Sequence, residues 1–251
     1  MSKKYELVVD DTITFWGWKL FRIRALISFG SVDAGDLGGY IYTEDNLSQK
    51  GDAWVSGDAK VWGNAKVSGD AKVSGNAEVS GDAKVWGDAE VWGNAKVWGN
   101  AKVWGNAEVS GDAEVLGNAE VSGNAKVSGD AEVWGNAEVW GNAKVSGDAE
   151  VWGNAKVWGN AEVSGDAEVW GNAEVSGDAK VSDFEDVIVF KNHWSSGRHF
   201  TYTKSNKMWR VGCFYGTGQE LIDKAYRDSE KSGNFYKAYV EFIASLEGLG
   251  E

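Results

Sequence analysis

The sequence predicts an all-β fold: a three-sided parallel β-helix with 18 residues per coil, an N-terminal β cap and a C-terminal α+β cap. Three observations carry this. From Gly51 to Ser182 the chain is 22 consecutive hexads without insertion, each running Gly, Asp or Asn, Ala, Lys or Glu, Val, then Ser or Trp, with Trp54 and Leu116 as departures. Inside a hexad, apolar and polar residues alternate with the period of a strand, which no helical stripe can match. The variable sixth position, finally, is ordered when it is read by threes.

Taken element by element, Ala and Val of a hexad face one side and the intervening Lys or Glu the other, as in Ala59-Lys60-Val61. Gly-Asp and Gly-Asn supply the left-handed backbone that a sharp corner needs. One hexad cannot bury its apolar side alone, so successive hexads must wind into a solenoid lined by Val and Ala. Sorted by threes, the sixth positions form one edge of Ser56, Ser74, Trp92, Ser110, Ser128, Ser146, Ser164 and Ser182. Nine of the ten repeat tryptophans fall on the other two edges. Only an 18-residue coil stacks like on like, and at ~4.8 Å per rung the rod is about 35 Å long.

The caps follow from the need to cover strand edges at both ends. Residues 1–50 form the first cap and the lead into the coil, with Thr12-Ile13-Thr14-Phe15 and Leu20-Phe21-Arg22-Ile23-Arg24 as a hairpin over the first coil. Residues 51–182 are the solenoid and residues 183–251 the second cap. There, Val187–Phe190, His199–Thr203 and Met208–Phe214 read as three strands. Thr217 and Glu220 then open a helix through about Lys231 with a capping-box pattern, and Gly233 stops it. A second helix places Phe235, Tyr239, Phe242, Ile243 and Leu246 on one face.

The repeat, for example Val151-Trp152-Gly153-Asn154-Ala155-Lys156, resembles the hexapeptide-repeat family, an aliphatic residue followed four positions later by a small one. That resemblance implies a left-handed coil, against the general rule for parallel crossovers. Ala25 to Gly30, Asp36 to Tyr40 and Asn46 to Gln49 are similar to the leading segment of YdcK-like and prophage-encoded members. Asn192 to Arg198 and Gly212 to Gly218 are similar to the end module of the prophage type. Some members are labelled acetyltransferases through their repeats, and the family's acyltransferases use a histidine base near a coil boundary and a loop that interrupts the repeat. This coil has no such loop, and the two histidines, His193 and His199, lie outside it.

The chain has 251 residues, 34 glycines, no proline and a net charge of −13. Such acidity opposes a nucleic-acid or anionic-membrane partner, because both demand Lys and Arg clusters. No run of 18 apolar residues suggests a spanning helix and the N-terminus does not read as a signal peptide, so a cytoplasmic protein is expected. The single Cys213 agrees with a reducing compartment. It reads as part of a strand, although Cys213 with His193 or His199 could also be imagined as nucleophile and base. No cofactor and no metal centre are implied.

Two exterior features remain as candidate binding surfaces. Trp62, Trp98, Trp134, Trp152 and Trp170 form one aromatic edge and Trp86, Trp104, Trp140 and Trp158 the other. They read either as a stiffening rib or as an interface for self-association, an unknown protein or a glycan. The second feature is acidic: Glu114, Glu132, Glu150 and Glu168 accompanied by Asp112, Asp130, Asp148 and Asp166 on four successive rungs. It reads either as a solvated face or as a site for a cation or a basic partner, since stacked like charges repel. The leading expectation is therefore a noncatalytic scaffold or binding protein. Its rivals are an acyl-CoA-dependent acyltransferase with His193 or His199 as base, and a carbohydrate-binding solenoid.

Overall fold

Every repeat Val and Ala is buried to 1% exposure or less, and the stacked pairs form one continuous core. Hydrogen bonds between rungs hold this column together in a fixed register. Within the column three amides per hexad typically donate to the next rung, as Lys60 to the Ala77 carbonyl (2.9 Å), Trp62 to Val79 (3.1 Å) and Asn64 to Gly81 (2.8 Å). Val61 therefore pairs with Val79 and Val79 with Val97, 18 residues at a step. The corner glycines are left-handed and stack one over another. Gly99 has φ 75°, and a Cβ there would lie 3.0 Å from the Gly117 carbonyl oxygen.

The computed structural model describes residues 3–249. Its chain begins with a hairpin of β1 (Tyr5–Phe15) and β2 (Trp18–Ala25), continues through β3 (Leu37–Ile41), and enters 22 short strands from β4 (Trp54–Val55) to β25 (Lys180–Val181). These make three parallel ladders. The first face has ten strands, the hairpin and β3 followed by every third repeat strand from β5 (Lys60–Val61) to β23 (Glu168–Val169). The second has eight, from β4 to β25, and the third seven, from β6 (Lys66–Val67) to β24 (Glu174–Val175). No helix among the described residues is long and apolar enough to cross a membrane.

The N-terminal hairpin extends the first face rather than only lying across the coil. β2 pairs antiparallel with β3, which pairs parallel with β5. Its inner side chains seal the bottom of the core: Tyr5 and Ile23 are fully buried, and the Tyr5 hydroxyl donates to the Leu47 carbonyl at 2.6 Å. Lys4 is buried too. Its ammonium donates to the Gly51 and Ala53 carbonyls at 3.1 and 2.8 Å and lies over the Phe29 ring.

The C-terminal cap departs from the sequence expectation in its strands, its turn and its helices. It has four antiparallel strands, β26 (Val187–Lys191), β27 (His199–Thr203), β28 (Met208–Val211) and β29 (Phe214–Thr217), where three were expected. Gly212, at φ 58°, turns the chain between β28 and β29, so Cys213 lies exposed in a tight turn and not inside a strand. The first helix, α1 (Gly218–Asp228), opens with the expected Thr217–Glu220 capping box but ends at Ser229, which caps α2 (Glu230–Glu247). Gly233 does not stop a helix: it lies inside α2 beneath the Tyr226 ring, where close packing of the two helices leaves no room for a side chain. The buried face of α2 consequently runs through Gly233, Tyr236 and Ile243, while Phe242 and Leu246 are exposed.

Candidate interaction surface

The outward residues inherit the 18-residue step, so each column repeats one chemistry from rung to rung. On the second and third faces opposite charges meet. Lys126 pairs with Glu108 (2.9 Å), Lys144 with Glu162 (3.1 Å), Lys102 with Glu120 (2.7 Å) and Lys156 with Glu138 (3.0 Å). Each such exposed pair contributes at most about 1 kcal/mol.

The first face behaves differently. Lys96 pairs with Glu114 at 2.7 Å, and beyond that rung the cations stop. Glu114, Glu132, Glu150 and Glu168 follow in direct parallel register. Among the described residues no hydrogen bond or ion pair engages the side chains of Glu132, Glu150, Glu168, Asp130, Asp148 or Asp166. Partial burial, then the Glu114 and Glu150 charges, hold the Glu132 carboxyl above its ordinary pKa. Among the described residues no three His, Cys, Asp or Glu side chains come together in a way that could hold a metal ion. The eight carboxylates thus form an acidic surface along one face.

The corner beside this face explains part of the contrast. Elsewhere corner amides form ladders: Asn100 donates to Asn118 (2.9 Å), Asn118 to Asn136 (3.0 Å) and Asn136 to Asn154 (3.1 Å). A second ladder runs from Asn106 through Asn124 and Asn142 to Asn160. A carboxamide both donates and accepts, so it can repeat; a carboxylate only accepts. The third corner ladder ends where Asn94 donates to Asp112 at 2.7 Å. The ladders were legible in the spacing of Asn at 18 residues, a signal the reading of the corners as turn residues passed over.

The tryptophans stack as the 18-residue step requires. Trp86 and Trp104 lie 5.0 Å apart and nearly parallel, as do Trp134 and Trp152 at 5.0 Å and Trp140 and Trp158 at 4.9 Å. Trp170 stacks on Trp152 at 5.5 Å and is 54% exposed. Ser80, Leu116 and Ser122 interrupt the two edges, so the aromatic runs are short. Most of these indoles are half-buried. Trp62 is no display residue: it is 8% exposed, covered by Phe15 and packed with Leu20 and Tyr40 of the N-terminal cap. Trp98 also packs against that cluster. Towards the other end, the Arg210 guanidinium covers Trp158 at 4.8 Å.

Of the three candidate catalytic residues, the structure brings two to one cavity and leaves the third apart. His199 and Cys213 line a cavity of about 270 Å³ in the C-terminal cap with Arg198, Lys224 and Asp228, and no hydrogen bond joins them among the described residues. His193 lies elsewhere, edge-on to Trp194 and Phe235. His199 also borders a groove formed with Glu168, Trp170 and Phe184 at the end of the acidic face, a site that depends on how the cap docks and left no mark in the sequence. No protein-family profile matches the chain, and no curated protein matches it.

Proposed function

We propose that this protein is a noncatalytic capped β-solenoid of the hexapeptide-repeat class, akin to its YdcK-like and prophage-encoded members and cytoplasmic, that presents aromatic edges and an acidic face to a partner. One observation carries this reading. The run of carboxylates without cations on the first face is bordered by the stacked Trp134, Trp152 and Trp170, so charge and apolar surface lie side by side along one flank. Surfaces that combine aromatic anchors with a charged border are typical of protein interfaces.

The test replaces Trp134, Trp140, Trp152 and Trp158 by Ser, the residue that dominates the remaining edge. Light scattering should show a lower mass for the variant if the partner is a second copy. Loss of binding to a basic protein ligand at unchanged mass would identify a different partner. If only the melting temperature falls, the indoles serve as a rib and the display reading fails.

A further inference from the structure

Among the described residues, the C-terminal cap supplies side-chain acceptors to the last strands of two faces and none to the last strand of the third. On the second face, Lys180 N–H donates to Ser205 Oγ (2.9 Å) and Ser182 N–H to Asp186 Oδ2 (2.8 Å). On the third, Glu174 N–H donates to Thr201 Oγ1 (2.9 Å). The first face ends at β23, where the amides of Glu168, Trp170 and Asn172 have no acceptor among the described residues. One rung earlier the same three positions are all bonded: Glu150 to the Ala167 carbonyl (2.9 Å), Trp152 to Val169 (3.0 Å) and Asn154 to Gly171 (2.7 Å). The corner tells the same story. A Cβ on Gly153 would meet Gly171 at 3.1 Å, whereas one on Gly171 would meet nothing within 4 Å. The place of one more rung is open.

That place is a groove of about 660 Å³, walled by Glu168 and Trp170 on one side and by Phe184, Val187, Val189 and His199 on the other. Phe184 is 65% exposed, a large apolar side chain with no intramolecular cover. β26, which supplies Val187 and Val189, is itself the outermost strand of its sheet. Open strand edges beside apolar side chains are what an extended peptide recognises: backbone bonds hold it, and alternate side chains select it.

We propose that this groove binds an extended segment of a partner protein, added as a further parallel strand on β23, with a basic residue over Glu168 and an aromatic one over Trp170. The charge preference follows from the column below. Glu168 and Glu150 have no cation, while a Lys stacked on a Glu one rung away is the arrangement met at Lys96 and Glu114. The aromatic preference follows from Trp170, whose inner face already stacks on Trp152 and whose outer face is free. A basic residue and an aromatic one two positions later is the spacing of the chain's own Lys96-Val97-Trp98. A second copy joined end to end is disfavoured, because the outermost strand at the opposite end, β1, contains no Lys or Arg to place over Glu168. The proposal narrows the display reading to one end of the rod and rests on it only through Glu168 and Trp170.

The probe is a labelled peptide Gly-Asn-Ala-Lys-Val-Trp-Gly-Asn, titrated into the full chain by fluorescence anisotropy beside the same peptide with Glu in place of Lys. The Lys peptide should bind more tightly by about tenfold or more, and Glu168→Lys should reverse the preference. Amide hydrogen exchange at Glu168, Trp170 and Asn172 should slow when the Lys peptide is added. Absence of binding up to about 1 mM, at which affinity is negligible, overturns the proposal. So does binding whose charge preference survives Glu168→Lys, since the peptide then sits elsewhere. Either failure leaves the display reading to its own mass measurement.

Discussion

Glu132 stands directly opposite Glu150 on the neighbouring parallel strand, with no cation beside either. Repulsion of this kind destabilises adjacent strands and is screened by salt. It gives the acidic face a definite response to solvent conditions.

A carboxyl whose folded pKa is raised contributes stability below its ordinary value and loses it as pH rises through the folded one. Glu132 is raised from 4.5, so its contribution to stability, followed through the melting temperature, should fall as pH climbs above that value. Glu132→Gln should flatten that slope. Sodium chloride and calcium chloride at matched ionic strength should raise the melting temperature equally, because no chelating group is present among the described residues. A calcium-specific rise would contradict this account.

Lys4 supplies the opposite sign at the other end of the rod. Burial lowers its pKa from 10.5 to about 8, against the pull of Asp52 and Asp70. Between those values the unfolded chain holds a proton that the folded chain has released, so stability should rise with pH across that window. Comparing the wild type with Lys4→Met by chemical denaturation isolates the effect. Parallel curves would exclude a titrating Lys4.

Gly99 and Gly171 have nearly the same backbone but different surroundings. Both are left-handed, at φ 75° and 69°, and only Gly99 has another glycine stacked beyond it. Gly171→Ala should therefore cost the conformational penalty alone, about 1 kcal/mol. Gly99→Ala should cost more, since the Gly117 carbonyl would have to move as well. Equal losses in urea unfolding would mean that rung stacking at the corner is looser than the geometry implies.

Val121 lies in the middle of the column, fully buried between Val103 and Val139. Val121→Asp places a charge there without a partner, at a cost of about 3 kcal/mol or more. Since repeat arrays are stabilised by neighbour contacts, the damage should break the rod into two segments that melt separately. A single transition at the wild-type temperature would refute this.

The repeat was legible in the sequence because it states one rule 22 times: Val and Ala inward, corners at Gly, like residues 18 apart. The caps were legible only where a local signal exists, as at Thr217 and Glu220. Gly233 and Cys213 misled because their roles depend on what packs beside them, the Tyr226 ring in one case and a two-residue turn in the other. The surface was half legible. Periodicity predicted which carboxylates and indoles share a column, but the covering of Trp62 by Phe15 and the open amide of Trp170 are products of how the ends dock.

The unbroken 18-residue step makes the rod a rotational ruler. Deleting one full coil would shorten it by about one rung, ~4.8 Å, and return every column to its own partner. Deleting a single hexad would instead turn everything beyond it by roughly a third of a revolution. Glu168 would then follow a column of mixed charge, and the C-terminal cap would point to a different side of the axis. Length at fixed azimuth is thus adjustable in units of eighteen residues, and azimuth in units of six.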